Sequence, residues 1–381
     1  MKVGDRFHLT YCSNIHPGET WEQVSASLAD ALPRIRALVG HDGPLAIGLR
    51  LSAQAAQTLA AGDALARFRE FLRAGDYYVP TINGFPYGAF HGERVKERVY
   101  LPDWRDNARV EYTNLLATLL SELLADRPDI EGSVSTAPGA FRVNVQSADD
   151  VNAMAKGFLR HAEHLRRIDE TTGRKVTLAI EPEPACYIET VDDALVFFRD
   201  YLFETDVRRY IGICFDACHM AVEFEEPLAA MRRLEDAGIR ICKFQISSAL
   251  RVDSARRRAL ERFADDTYLH QVVERASGGV TRYTDLPDAL SATREVPRDA
   301  EWRVHYHVPI FLGTLGDLET TQPDLVVLLD ALKHAAPSPN RSPCLEVETY
   351  TWDVLPPEHR NVDVCTAIAR ELTWVRRRLE S

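Results

Sequence analysis

The sequence predicts an α/β fold, a (β/α)8 TIM barrel with a large insertion between its seventh and eighth strands. Three observations predict it. Short β-branched runs alternate with longer segments of helical period. The alternation repeats eight times and closes on a helix, and 381 residues suit one such barrel with added loops. No Gly/Ser-rich linker divides the chain, so residues 1–381 read as a single barrel domain that contains the 250–311 insertion. An open doubly wound sheet is the alternative, weakened because no GxGxxG follows any strand.

The elements follow in order. "RFHLTYC" (6–12) is a first strand, and the helical pattern after it contains Pro33, which should bend or interrupt it. "PLAIGLRLS" (44–52) and "YYVPTING" (77–84) are the second and third strands, and a long loop follows the third. "EGSVSTAPG" (131–139) is the fourth; the helix after it opens on Ser147 with Asp150 three residues on, a capping box. "KVTLAIEPEP" (175–184), "RYIGICFDACHM" (209–220) and "IRICKFQISSA" (239–249) are the fifth to seventh strands, with a helix around 223–237. Residues 250–302 are polar and irregular in period, "RVHYHVPIF" (303–311) is another extended run, and "PCLEVETYTW" (343–352) is the last strand.

Composition excludes several function classes. A net charge of −12 argues against a nucleic-acid partner, because phosphate binding relies on clustered Lys and Arg. The runs "ARRRALERF" and "WVRRRLES" read as solvated helix faces. No apolar run approaches the roughly 18 residues of a membrane span. The N-terminal stretch lacks the apolar core of a signal peptide, so a cytoplasmic location is expected. The seven cysteines are scattered, mostly inside apolar runs, and read as buried thiols in a reducing compartment.

Barrel active sites are built from the C-terminal ends of the strands. Here the fifth strand ends in Glu181 and Glu183, and the sixth in Asp216 with His219 three residues later. The seventh carries Lys243 and Gln245, the 303–311 run His305 and His307, and the last strand Glu346 and Glu348. Residues two apart on a strand share a face. Carboxylates converging on one mouth repel unless a divalent cation lies among them. Carboxylate with imidazole suits Mn²⁺, Zn²⁺, Co²⁺ or Fe²⁺, and Mg²⁺ if carboxylates dominate. An ion pair with a neighbouring Arg is the alternative reading for Glu183 and Glu346, and satisfied core histidines for His305 and His307. The loops after the first and third strands place Asn14, His16, Trp21, Asn83, Phe85, Tyr87 and His91 near the mouth as candidate substrate contacts. Such a mouth suits a small polyol or an aromatic metabolite, and for each aromatic the alternative is loop packing.

"AIEPEP" followed by "TVDDAL", then "FDACHM", then a late strand ending in Glu, resembles the xylose isomerase-like TIM-barrel superfamily of sugar isomerases, keto-sugar 3-epimerases and endonuclease IV. The resemblance covers the barrel from about strand five to strand eight. It implies that Glu181, Asp216 with His219 beside it, and Glu348 rather than Glu346 are metal ligands. It also implies that Glu181 and Glu348 act as an acid/base pair. The sequence departs at strand seven, where the epimerases present a His and this chain has Gln245, a weaker neutral ligand; His305 or His307 then supplies the imidazole. Lys243 is a candidate for stabilising enolate charge, its alternative an ordinary ion pair. "LTYCSNIHPGETW", "TINGFPYG", "HYHVPIF" and "LEVETYTW" together resemble EboE-type metabolite traffic proteins over most of the chain.

These readings imply a metal-dependent isomerase or epimerase acting on a small hydroxylated metabolite. The first alternative is a non-catalytic carrier that hands a precursor to a membrane partner for export. The second is a metal-dependent hydrolase of the endonuclease IV type. The sequence leaves the substrate and the metal open, and a homo-oligomer is compatible with it.

Overall fold

The computed structural model describes every residue except 5, 92–93, 294–295, 336–342 and 361, and the side chain at 205. Eight parallel strands form the barrel: Phe7–Tyr11, Leu45–Arg50, Tyr77–Asn83, Gly132–Thr136, Val176–Ile180, Ile211–Asp216, Ile241–Ile246 and Cys344–Val347. Their side chains are buried on both faces almost throughout, which is why they read as near-continuous apolar runs. From the second to the eighth, each strand pairs with the next in chain order, and the eighth lies between the seventh and the first. A parallel bridge between Cys12 and Gly48 joins the first strand to the second and closes the ring. A short antiparallel strand, Lys2–Val3, lies beside the first.

Most helices begin on the caps that their sequences offer. Thr20 with Gln23, Ser147 with Asp150 and Thr190 with Asp193 form reciprocal capping boxes. Pro33 does not interrupt its helix: Trp21–Val39 runs through it and ends on Gly40 in the left-handed region.

Two strand ends differ from the sequence reading in ways that bear on the site. The fifth strand stops at Ile180, so residues 181–184 form a turn beyond it. The sixth stops at Asp216, which caps a new helix, Ala217–Val222, by accepting the His219 N–H at 2.9 Å. His219 therefore sits in a first helical turn. The 223–237 helix is Pro227–Asp236.

The polar stretch after the seventh strand is ordered as a second, antiparallel six-stranded sheet. Its order is Gly279–Tyr283, Val272–Ala276, Glu301–Val304, Leu250–Asp253, Leu318–Thr320 and Thr314–Leu315. Exposed residues on its edge strand mask the strand period in the sequence. Of the 303–311 run only Arg303 and Val304 belong to a strand. Beyond it, His305 N–H donates to Gln271 O (2.8 Å) and Val308 N–H to Ser248 O (2.9 Å), which brings His305 and His307 over the barrel mouth.

Candidate metal centre

Three carboxylates from three strand ends meet at the mouth. Glu181, Asp216 and Glu348 are buried, and each offers an oxygen within 4.8 Å of the others. A second donor group, Asp216, His219 and His307, meets the same limit and shares Asp216 with the first. The chain places each donor by a separate device. Asp216 spends Oδ1 on the His219 N–H and on Ser247 Oγ (2.8 Å), leaving Oδ2 bare. Glu348 accepts at Oε1 from Asn14 Nδ2 (2.8 Å) and Asn83 Nδ2 (2.9 Å). Glu181 Oε2 is buried without a partner among the described residues.

The imidazoles are oriented in one way throughout. His219 Nδ1 faces Pro182 O at 2.9 Å, and His307 Nδ1 faces Glu348 O at 2.8 Å. His305 Nδ1 faces Gln271 Oε1 at 2.7 Å. The Gln271 amide cannot be turned round, because its nitrogen donates to Pro184 O (3.1 Å) and Tyr100 Oη (2.9 Å). Carbonyl oxygens only accept, so each Nδ1 carries the proton and each Nε2 is a bare lone pair. His219 Nε2 and His305 Nε2 lie 3.1 Å apart, and His307 Nε2 is buried without a partner, 3.9 Å from Asp216 Oδ2. A histidine whose far nitrogen is pinned to a carbonyl is the usual outer support of a metal ligand.

Electrostatics lead to the same cation. Burial, then Glu348 and Asp216, push the Glu181 carboxyl well above its usual range. Burial, then Asp216 and Glu346, push Glu348 up to about 8. Burial also works to raise Asp216, but His219, His307 and its two hydrogen bonds hold it below the ordinary value. Burial lowers His307 to about 4 and, with His219 and His307 beside it, takes His305 well below its usual value, so both stay neutral. Bare lone pairs and crowded carboxylates, buried with no counter-charge in hydrogen-bonding contact, fit a divalent cation. Glu181, Asp216 and Glu348 would hold it, with His219 and His307 supplying nitrogen on one side. Cys218 also offers its sulfur near His305 and His307.

Lys243, Gln245 and Glu346 lie inside the barrel and do not line the chamber above it. Lys243 Nζ is 2.5 Å from Glu346 Oε1 and donates to Ser135 Oγ at 3.1 Å. This is an ion pair with Lys, not with the Arg considered for Glu346. Its room comes from Gly48: a Cβ there would lie 1.5 Å from Glu346 Oε2. Both amide atoms of Gln245 are buried without a partner among the described residues, in register between Asp216 and Glu346. Glu183 lines the chamber, accepts from Tyr100 Oη (2.7 Å) and, chiefly through burial, is pushed up to about 7.

Of the loop residues considered as substrate contacts, Asn14, Asn83 and Phe85 line the chamber. The other four sit elsewhere. Trp21 packs on Phe68, Tyr87 on Tyr112, His16 binds Tyr11 Oη, and His91 binds Asn14 O. Tyr100, Tyr268, Gln271 and Tyr350 are additional site residues that sequence reasoning missed. The chamber measures about 60 Å³, several times what one water needs.

No protein-family model matches the sequence, and no curated protein matches it. Solved structures do match its fold. A xylose isomerase-like TIM barrel protein from Mycobacterium smegmatis, in complex with magnesium, is 12% identical with a TM-score of 0.55, over 100% of this chain and 99% of that one. The chain has the xylose isomerase-like barrel fold. The IolI protein with a bound zinc atom is 13% identical, TM-score 0.51, over 98% of both chains. D-psicose 3-epimerase, solved in the presence of D-fructose, is 14% identical, TM-score 0.51, over 98% of this chain and 100% of that one.

Proposed function

We propose that this protein is a metal-dependent isomerase or epimerase acting on a small hydroxylated metabolite. One observation carries the reading: the buried atoms Glu181 Oε2, Asp216 Oδ2 and His307 Nε2 have no hydrogen-bond partner among the described residues. A divalent cation bound there would polarise a substrate carbonyl and acidify the adjacent C–H. The chain does the rest. Glu181 and Glu348 accept and return the proton, drawn from the fifth and eighth strand ends. Asn14 and Asn83 hold one oxygen of Glu348 and so fix where its carboxyl group points. Lys243 stays below as a fixed positive charge that offsets part of the carboxylate cluster. A barrel neighbour solved with zinc and an epimerase solved with a ketose support the reading. Incubating Mn²⁺-loaded protein with a panel of ketoses and aryl hydroxyketones in deuterated water should put label on the carbon next to the carbonyl of at least one of them. No exchange across the panel removes the isomerase reading, and with no ester hydrolysis either it favours the carrier.

A role in metabolite traffic of the EboE type rests on the sequence resemblance alone, as does an export partner in the membrane. Among the described residues no helix is long and apolar enough to cross a membrane. A hydrolytic reading is favoured by one feature: Asp216 belongs to both donor groups, as a ligand bridging two ions would. Uptake of two ions per chain, with ester hydrolysis and no proton exchange, would select it.

A further inference from the structure

The chamber sets most of its free hydrogen-bonding groups on its floor. Its upper wall is built from two small apolar clusters, separate from the main core, that meet at Val99. Phe85, Tyr100 and Leu269 come from one, and Phe90 and Tyr268 from the other. Among the described residues most polar groups of this wall are already engaged, and the Tyr350 hydroxyl is the one without a hydrogen bond. Tyr100 Oη donates to Glu183 and accepts from Gln271. Tyr268 Oη donates to Phe90 O at 3.1 Å. Lys96 Nζ donates to Asp265 O (2.9 Å) and Asp285 Oδ2 (2.6 Å). The other unpaired atoms are on the floor: Glu181 Oε2, Asp216 Oδ2, His307 Nε2 and Asn14 Oδ1.

A polyol filling this space would find Tyr350 for one hydroxyl and leave its others against the wall with no partner, at about 1–3 kcal/mol each. An aromatic ring leaves none, and gains from burial and edge contacts with Phe90, Tyr100 and Tyr268. From this asymmetry we infer that the substrate is a single-ring aromatic compound with a short metal-chelating head, and not a sugar. The head carries one hydroxyl or N–H that donates to Asn14 Oδ1. This rests on the metal-dependent reading above and narrows its substrate class: two oxygens meet the cation and the apolar remainder meets the wall. The small volume limits the remainder to about one ring.

The test uses two chelators that share a head. Benzohydroxamic acid carries a ring, and glycolohydroxamic acid carries a hydroxymethyl group. Both are titrated into the full chain loaded with Mn²⁺, by calorimetry. The expected result is at least tenfold tighter binding of benzohydroxamic acid. Phe90→Leu and Val99→Thr, each checked for an unchanged melting transition, should each cut that preference at least threefold and leave glycolohydroxamate binding as it was. Val99→Thr keeps side-chain volume, so it serves where Phe90→Leu fails to fold. A preference below threefold, or one that survives both substitutions, overturns this inference and leaves the metal site standing. A chain that takes up no Mn²⁺ overturns both.

Discussion

The carbonyl oxygen of Pro182 accepts the Nδ1 proton of His219 at 2.9 Å, and this contact turns Nε2 of the ring toward the carboxylates. The same turn does three further things. Glu181 enters the cluster, Glu183 anchors Tyr100, and Pro184 O holds the amide of Gln271 that orients His305. Ala185, at φ 68°, closes the turn in the left-handed region and is held by Glu189 Oε1 on its N–H at 2.7 Å. A non-glycine residue held there is a cost that the surrounding bonds must outweigh. The turn thus links a strand end to three histidine and tyrosine supports.

The supports of Glu348 should matter for metal affinity even though they do not touch the cation. Asn83→Ala removes one of the two amides on Glu348 Oε1. Outer supports of this kind are worth about 10- to 100-fold in affinity. A Mn²⁺ titration should show a loss in that range with the stoichiometry unchanged; an unaltered affinity would mean that Glu348 is not a ligand.

The fold and the strand-end carboxylates were legible because a barrel's chemistry collects where its strands end, and Glu181, Asp216 and Glu348 lie there. Depth was not legible. Alternation assigns Glu346 and Glu348 to one face but does not say that Glu346 sits a layer below, paired with Lys243. Tyr100 and Gln271 were missed because they come from a loop and from the second sheet, brought to the turn only by tertiary packing. Trp21, Tyr87 and His91 carry the residue types of a binding site, but Trp21 packs between two helices and Tyr87 and His91 tie down their loop.

Gly48 should tolerate no side chain. A Cβ would meet Glu346 Oε2 at 1.5 Å and the Tyr11 carbonyl oxygen at 2.8 Å, and the second is backbone that cannot step aside. Overpacking costs about 1–3 kcal/mol, and disturbing a buried ion pair about 3–5 kcal/mol. Gly48→Ala should therefore lose about 3 kcal/mol or more by urea denaturation. A loss under about 1 kcal/mol would show that the Lys243–Glu346 pair is not packed as described.

Glu371 gives the stability a pH dependence of definite sign. Burial pushes its carboxyl up to about 7, against hydrogen bonds from Thr349 Oγ1 (2.7 Å) and Ile310 N–H (3.2 Å). Between the ordinary carboxyl value of about 4.5 and about 7, the folded chain keeps the proton that the unfolded chain has released. Stability therefore falls as pH rises through that window, by up to about 3 kcal/mol, and is flat on either side. Glu223 and Glu225 are also raised to about 7 and add slope of the same sign. The difference between the native chain and Glu371→Gln isolates Glu371. Parallel stability–pH curves for the two would contradict the assignment.

Saturating divalent metal should raise the melting temperature, since a ligand bound only by the folded state adds about 2.7 kcal/mol at a hundredfold excess over Kd. Chelator should reverse the shift, and Glu181→Gln should remove most of it. A shift of equal size in Glu181→Gln would place the metal elsewhere on the chain.

The most direct test of the central claim is equilibrium dialysis against Mn²⁺, a hard ion that avoids the buried thiols, comparing the native chain with Glu181→Gln and Glu183→Gln. The account predicts at least one ion per native chain, at least tenfold weaker binding in Glu181→Gln, and near-native binding in Glu183→Gln, whose carboxylate serves Tyr100. No saturable uptake by the native chain, or equal loss in both variants, would contradict it.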